Sequence, residues 1–219
     1  MIKYRFGYAK YGEAKYVSHL DLIRLFSRSF KRAHIPLTYS EGFNPHPKLA
    51  IGLPLSVGVT SECECMDVEV DRELKKEDID ALNRSLPIGI HINGLCEKIP
   101  GTKKLSDIRF AEYRVTVVCD PVDPEKFSEF MSRPSVVVEK KTKRKTEECD
   151  ILPDIHALSV CGVTDDGLML TMTLSAGPSA NLKPDLVLTA MEKYIEGFNP
   201  KDYDIHRAKI LSDAGLPLL

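Results

Sequence analysis

The sequence lacks the short motifs of several common enzyme classes. It contains no G-x-S-x-G nucleophile elbow, no Walker phosphate loop and no G-x-G-x-x-G dinucleotide fingerprint. None of its six cysteines stands in a C-x-x-C pair, whereas iron–sulfur and zinc sites normally need three or four clustered thiolates. We therefore expect no metal site and no bound cofactor, and we interpret the cysteines as reduced core residues.

Long apolar segments are missing as well. No hydrophobic run approaches the roughly 20 residues of a membrane span, and the N-terminal MIKYRFGYAK is charged and strand-like, unlike a signal or transit peptide. With 219 residues, 43% hydrophobic and 28% charged, the composition is typical of a globular protein with one large or two small domains. We expect a cytoplasmic protein that has no membrane partner.

The net charge of −2 conceals two blocks of opposite charge. Residues 1–50 carry nine lysines and arginines against three acids, whereas residues 61–80 carry nine acids against three bases. Local fields therefore say more about partners than the global charge does. Two interpretations stay open: each block meets a partner of its own, or the two neutralise each other across the fold.

A capped helix is predicted within the segment 16–48, YVSHLDLIRLFSRSFKRAHIPLTYSEGFNPHPK. Ser18 and Asp21 have the spacing of a capping box, and Leu22, Phe26 and Phe30 recur at the spacing of a buried helical face. The cations of another face are Arg24, Arg28, Lys31 and Arg32. Because nothing acidic follows them at i+4, we predict that they are available to an anionic partner.

A turn-rich loop follows this helix. Its residues are Gly42, Phe43, Asn44, Pro45, His46 and Pro47. Glycine permits backbone angles closed to other residues, and each proline fixes its own φ and pushes the preceding residue towards an extended conformation. A stiff polar loop is costly to order unless it presents something, so we expect this loop to shape a binding site together with Lys48.

The element pattern reads β-α-β-β-α-β up to residue 100 and then approximately repeats after the linker PGTKKLSD. The predicted strands are 3–10, 37–39, 62–70, 91–99, 112–119, 135–139, one around 151, 168–174 and 203–210, with a turn at 164–167. The predicted helices begin at 18, 75, 124 and 184. We therefore predict an α+β fold of two tandem ferredoxin-like (βαββαβ) modules with antiparallel sheets. Residues 1–100 would form the module with the basic helix and the GFNPHPK loop, and residues 108–219 the second module.

Two kinds of site can be built from these residues. Arg24, Arg28, Lys31, Arg32 and Lys48 could hold phosphates, while Tyr16, Tyr39 and Phe43 offer stacking faces, which favours RNA. A further basic run, KKTKRK at 140–145, lies at a predicted hairpin tip, although such runs are usually solvated loops. Alternatively His19, His34 and His46 could converge as a general base or a metal site. His19, expected to be exposed in the first helical turn, and His46 are the candidate catalytic residues.

Several segments resemble a bacterial family of radical-SAM-associated (radical-SAM-linked) proteins, a domain of unknown function. They are S-H-L-D-L-I-R at 18–24, R-x-x-x-R at 24–28, Y-S-E-G-F-N-P-H-P-K at 39–48, L-P-L-S-V-G-V-T-S-E at 53–62, M-D-V-E at 66–69, C-D-I-L-P-D-I at 149–155 and K-P-D-L-V-L at 183–188. The resemblance implies a cobalamin-domain radical SAM partner that would itself hold the iron–sulfur cluster. At the level of fold alone, the tandem modules also resemble CRISPR repeat-processing endoribonucleases and tRNA pseudouridine synthases.

Three hypotheses follow. The first is an accessory RNA-binding or substrate-presenting protein that works with the radical SAM partner and is not itself an enzyme. The second is an RNA-processing or RNA-modifying enzyme with a histidine general base. The third is a protein–protein interaction module without RNA, in which the acidic block at 61–80 meets a basic partner.

Overall fold

The computed structural model describes residues 1–141, 146–213 and 215–218, with the side chains of all but 140, 141 and 146. The chain divides into two compact units: Met1–Ile108 together with the residues from Leu216 onward, and Arg109–Gly215. Each unit combines helices with mostly antiparallel strands. The predicted α+β class is confirmed.

The first unit contains four strands and two helices. They are β1 (Ile2–Lys10), α1 (His19–Arg32), β2 (Leu49–Ile51), β3 (Thr60–Val70), α2 (Lys76–Ser85) and β4 (Ile90–Glu97). The strands lie in the order β4-β1-β3-β2, and every neighbouring pair among them is antiparallel. The first strand, β1, therefore lies between two neighbours, β4 and β3, and α1 packs on it.

Aromatic residues hold α1 on the sheet. Phe6 of β1 meets Phe30 edge-to-face with ring centroids 5.4 Å apart, and Tyr8 meets Phe26 at 5.0 Å. All four are buried, as the helical periodicity predicts. Since these contacts fix which face of α1 points inward, they leave the arginine face in solvent.

The prediction of a strand at 37–39 is wrong. Leu37 and Tyr39 form only isolated bridges, to Val70 and Pro47, and the strand beside β3 is β2. Proline supplies the reason, because Pro36 and Pro47 have no N–H to donate to a ladder and interrupt regular pairing on either side. The chain resumes extended pairing only after the loop has closed.

The described residues of the second unit form six strands and two helices. They are β5 (Ile108–Val118), α3 (Glu125–Met131), β6 (Val137–Lys141), β7 (Thr146–Asp150), β8 (Ile155–Thr164), β9 (Gly167–Ser175), α4 (Pro184–Tyr194) and β10 (Asp202–Ser212). Four strands lie in the order β10-β5-β9-β8, and β6 and β7 form a separate antiparallel hairpin. The basic run at 140–145 lies outside the residues whose side chains are described.

The strand placed around residue 151 is wrong, because β7 ends at Asp150 and a short 3-10 turn, Leu152–Asp154, follows. The long strand β8 was not predicted. Its sequence, IHALSVCGVT, has no alternation of apolar and charged residues to reveal it. The predicted turn is confirmed, since Thr164 pairs with Gly167 and leaves two residues in the loop. Among the described residues, no helix is long and apolar enough to cross a bilayer.

Candidate nucleic-acid interface

The cap of α1 sets the orientation of the helix start. The Asp21 N–H donates to Ser18 Oγ at 3.3 Å, and the Ser18 hydroxyl donates to Asp21 Oδ2 at 2.7 Å. The predicted pairing of Ser18 with Asp21 is confirmed. The bond from Ser18 and a second one from Arg24 lower the pKa of Asp21, so this carboxylate is ionised at neutral pH.

One face of α1 lines a groove of about 580 Å³, which we call the arginine groove. Its lining residues are Asp21, Arg24, Leu25, Arg28, Arg32, Ser85, Leu86 and Pro87. The three arginines are four residues apart, which spaces them about 6 Å along the helix axis. The opposite wall is formed by the C-terminal end of α2 and the two residues that follow it. Three guanidinium groups against one carboxylate leave this groove positively charged.

The three arginines differ in what they already contact. Arg24 Nη1 pairs with Asp21 Oδ1 at 3.0 Å, between two largely exposed side chains. Arg32 Nη2 donates to the Ser85 carbonyl oxygen at 2.7 Å and to Ser29 Oγ at 2.9 Å. Arg28 makes no hydrogen bond or ion pair within the described part of the chain. Its guanidinium is the least committed of the three.

The stripe was predicted to be available to an anionic partner, and two of its members, Arg24 and Arg32, already have a partner within the chain. The spacing rule considered acids at i+4, whereas the acid that meets Arg24 lies at i−3. Arg32 is satisfied by a carbonyl 53 residues away in sequence. Lys31 is exposed and, like Arg28, has no partner among the described residues, but it does not line the groove.

Lys48 lies elsewhere. Its Nζ is 2.9 Å from Glu69 Oε1, in a separate cleft beside β2, and this contact lowers the pKa of Glu69. Arg5 likewise contacts Asp67, with Nε 2.7 Å from Oδ1. These pairs confirm, for the residues they involve, that the basic and acidic blocks partly neutralise each other. The five cations predicted to act together are therefore separated: three arginines line the arginine groove, Lys48 lines the cleft beside β2, and Lys31 lines neither.

The loop after α1 is tied at its base. The Ser40 N–H donates to the His46 carbonyl at 2.8 Å, and the His46 N–H donates to Ser40 Oγ at 3.0 Å. Gly42 has φ +116°, a conformation that side-chain-bearing residues rarely adopt. Phe43 at the tip is fully exposed. The loop therefore presents an aromatic ring on a closed base, as a stacking element would require.

His19 and His34, two of the three candidate histidines, do not converge. His19 and His34 lie at opposite ends of α1, about 22 Å apart along the axis. His19 is half-buried rather than exposed, and among the described residues its buried Nδ1 has no hydrogen-bond partner. His46 is exposed on the loop. No pair of histidines at α1 is assembled for acid–base work.

Some residues that were not predicted as site residues contribute to the arginine groove and to the cleft beside β2. Ser85, Leu86 and Pro87 form a wall of the arginine groove, and nothing in their own pattern reveals this. The sequence could have indicated that Arg5 has an internal partner, since it is a charged residue between apolar neighbours in a strand. Within the described ranges, no three His, Cys, Asp or Glu residues are grouped to hold a metal ion, and none of the six cysteines forms a disulfide bond.

A family model described as an uncharacterized protein conserved in bacteria (DUF2344) matches residues 3–184. The chain belongs to this family. The predicted resemblance is confirmed to that extent, as membership of a bacterial domain-of-unknown-function family. None of the curated proteins matches the chain in sequence.

Solved structures resemble the chain only distantly. A Cbf5-Nop10-Gar1 complex aligns with TM-score 0.48 and 10% identity over 94% of this chain and 49% of that one. An H/ACA RNP bound to a substrate RNA containing 2′-deoxyuridine aligns with TM-score 0.44 and 10% identity over 94% and 47%. The first two RRM domains of yeast poly(U) binding protein (Pub1) align with TM-score 0.21 and 12% identity over 94% and 98%. This chain spans about half of the first two chains, and at these scores no activity carries over.

Proposed function

We propose that this protein binds single-stranded RNA through the arginine groove, as an accessory or substrate-presenting protein. The observation that carries the proposal is Arg28, an exposed arginine in a groove it shares with two other arginines, with no partner among the described residues. An isolated guanidinium in a positively charged groove is a ready site for a phosphate. A row of such groups about 6 Å apart suits consecutive phosphates of an extended strand.

RNA fits this surface better than an acidic protein does. The groove wall includes Leu25, Leu86 and Pro87, and Tyr39 and Phe43 of the following loop are exposed. Single-stranded nucleic acid combines a charged backbone with flat bases that stack on such rings. An acidic peptide supplies carboxylates but lacks this regular succession of charged groups and flat bases. The combination of cations with exposed aromatics supports the nucleic-acid proposal.

The two alternatives find less support. A histidine-based enzyme needs its base oriented beside the substrate, and the candidates His19 and His46 lie at separate places. An acidic docking surface needs free carboxylates, yet Asp67, Glu69 and Asp78 are occupied by cations of the same chain. Both remain outcomes that the binding experiments can reveal.

We also propose the finer architecture that the strand orders support. In the first unit the order is fourth-first-third-second, and the second unit repeats it when the β6–β7 hairpin is set aside. This is the arrangement of a ferredoxin-like βαββαβ module. On this proposal the modules span residues 1–100 and 108–219. An experimental structure that shows a different strand order in either unit would contradict it.

A radical SAM partner is proposed from the family resemblance alone. Such a partner would supply the cluster and the radical chemistry, while this chain would hold the RNA. Purification of the native protein from its bacterial host, followed by identification of bound protein and RNA, tests the two parts separately. Recovery of RNA without a radical SAM protein would remove the partner and leave the binding function.

The direct test of RNA binding uses matched charge variants. We expect Arg28→Gln to weaken binding of a labelled single-stranded RNA about three- to tenfold at moderate salt, because one charge-assisted contact is lost. Lys76→Gln removes an exposed cation at the start of α2, outside the groove, and should leave affinity unchanged. Equal effects of the two variants, or no binding by the wild type, would contradict the proposal. His46→Ala should weaken binding less than Arg28→Gln.

A further inference from the structure

A second cleft, of about 480 Å³, lies beside β2 and the loop that follows α1. We call it the β2 cleft. None of the arginines of the arginine groove lines it. Three lysines do: Lys3, Lys48 and Lys98. They come from β1, the loop end and the segment after β4, so the fold brings together cations that are far apart in sequence.

Cations outnumber carboxylates around this cleft. Asp67 is held by the buried Arg5, through Nε at 2.7 Å and Nη2 at 3.0 Å, and also by Lys98. Glu69 is held by Lys48 at 2.9 Å and more loosely by Lys3 at 3.9 Å. Three lysines and two carboxylates thus line the cleft, and Arg5, which holds Asp67 without lining the cleft, brings the charge balance of these six groups to +2.

The lysines keep unused donors. An ammonium group has three N–H donors, and each of these lysines is paired with a single carboxylate oxygen. Lys3 and Lys48 have 65% and 41% of their side chains exposed, so solvent or a ligand reaches them. An anion that enters the cleft meets several free N–H groups without breaking the pairs that hold the carboxylates.

The cleft also has an apolar wall, and the imidazole ring of His46 is among its lining residues. Pro47, Leu49 and Val68 line it, with the His46 imidazole at the rim. The same loop carries Phe43, fully exposed, a few residues before Pro47. A ligand with a phosphate on the lysines has an apolar surface and an aromatic ring available for a base.

We propose that the β2 cleft binds a phosphate monoester carried by a nucleoside. A monoester carries close to two negative charges near neutral pH and matches the charge balance around the cleft, whereas an internal phosphodiester carries one. The source is either the terminal phosphate of an RNA strand or a free nucleotide. If the monoester is the end of an RNA strand bound in the β2 cleft, the inference rests on the proposed RNA-binding function. If it belongs to a free nucleotide, the inference is independent of that function.

The test compares one RNA sequence with a 5′-phosphate, a 3′-phosphate or hydroxyl groups at both ends, together with uridine monophosphate as a competitor. We expect one phosphorylated form to bind about tenfold more tightly than the unphosphorylated form, since the terminal phosphate adds charge-assisted contacts. Lys3→Gln combined with Lys48→Gln should abolish this difference. Arg28→Gln should weaken all three RNAs by the same factor and preserve the difference.

The outcomes separate the two proposals. Equal binding of the three RNAs with no competition or direct binding by the nucleotide would overturn the cleft proposal and leave the arginine groove untouched. Nucleotide binding that requires Lys3 and Lys48, with no RNA binding, would support the cleft and overturn the proposed RNA function. A phosphate preference that survives the double lysine variant would place the site elsewhere. Because the double variant removes both cations that hold Glu69, we expect a lower unfolding temperature but a single cooperative transition, and thermal unfolding checks that the variant is folded.

Discussion

Arg32 Nη2 lies 2.7 Å from the carbonyl oxygen of Ser85, the last residue of α2. The contact joins the C-terminal ends of α1 and α2. A carbonyl at a helix end has no partner within the helix, and an arginine is well suited to satisfy it. Arg32 thus holds one wall of the arginine groove in place, whereas Arg28 faces the open space of the groove.

This division of roles predicts that stability and binding respond to different arginines. Arg32→Gln should lower the free energy of unfolding by about 1 kcal/mol, because a helix-end carbonyl loses its charged donor. Arg28→Gln should change it by less than about 0.5 kcal/mol. Urea unfolding of both variants measures the two values. If the two substitutions destabilise the protein equally, the contact with Ser85 does not hold the helices together.

The cap of α1 gives a second prediction. Ser18→Ala should lower the free energy of unfolding by about 1 kcal/mol, because the Asp21 N–H loses its acceptor. The matched control is Ser27→Ala, which removes only a hydroxyl bonded to the Ile23 carbonyl within the helix and should be close to neutral. Thermal unfolding checks both. A Ser18 variant as stable as the Ser27 variant would show that the cap contributes nothing.

The buried Arg5 gives a third prediction. Its guanidinium is completely buried and forms two bonds to Asp67, and the net effect of burial and these bonds is to raise its pKa. Asp67→Asn removes the countercharge and should cost about 3 kcal/mol. Lys98→Gln leaves the Arg5 pair in place and should cost about 1 kcal/mol or less. A smaller loss for the Asp67 variant than for the Lys98 variant would contradict the assignment of Arg5 as the essential partner.

The start of α2 predicts a pH dependence. Two bonds from Arg72, helped by the Lys75 N–H, lower the pKa of Asp78 from 3.8 to about 2. A depressed pKa means that the stabilisation is complete above the unfolded value and is lost as the pH falls from about 4 to 2. Arg72→Gln should therefore destabilise the protein at pH 7, by an amount reduced by the exposure of the pair, and clearly less at pH 2, where about half of Asp78 is protonated. An equal cost at both pH values would rule out this ion pair as the cause.

The sequence predicted what depends on local periodicity. Ser18 and Asp21 lie three residues apart, and Phe26 and Phe30 four apart, so the cap and the buried face of α1 follow from helix geometry alone. The α+β class follows in the same way from the alternation of strand and helix patterns. The strand β8 was missed because its sequence has no alternation of apolar and charged residues.

Contacts between distant residues could not be predicted. Arg32 meets Ser85 across 53 positions, and no spacing rule reaches that far. Lys48 is close in sequence to the basic helix, yet its pairing with Glu69 places it in the β2 cleft. The assumption that cations in one segment share one surface fails here, because the loop carries the chain away from α1 before Lys48.

The most direct test of the arginine groove is the salt dependence of RNA binding. A plot of log affinity against log salt has a slope of about −0.7 for each phosphate neutralised on a single strand. Arg24→Gln combined with Arg28→Gln should weaken binding and flatten the slope by about one to two units, because two contacts no longer release counterions. Lys76→Gln should keep the wild-type slope. A wild-type slope near zero, or an unchanged slope in the double arginine variant, would contradict the account.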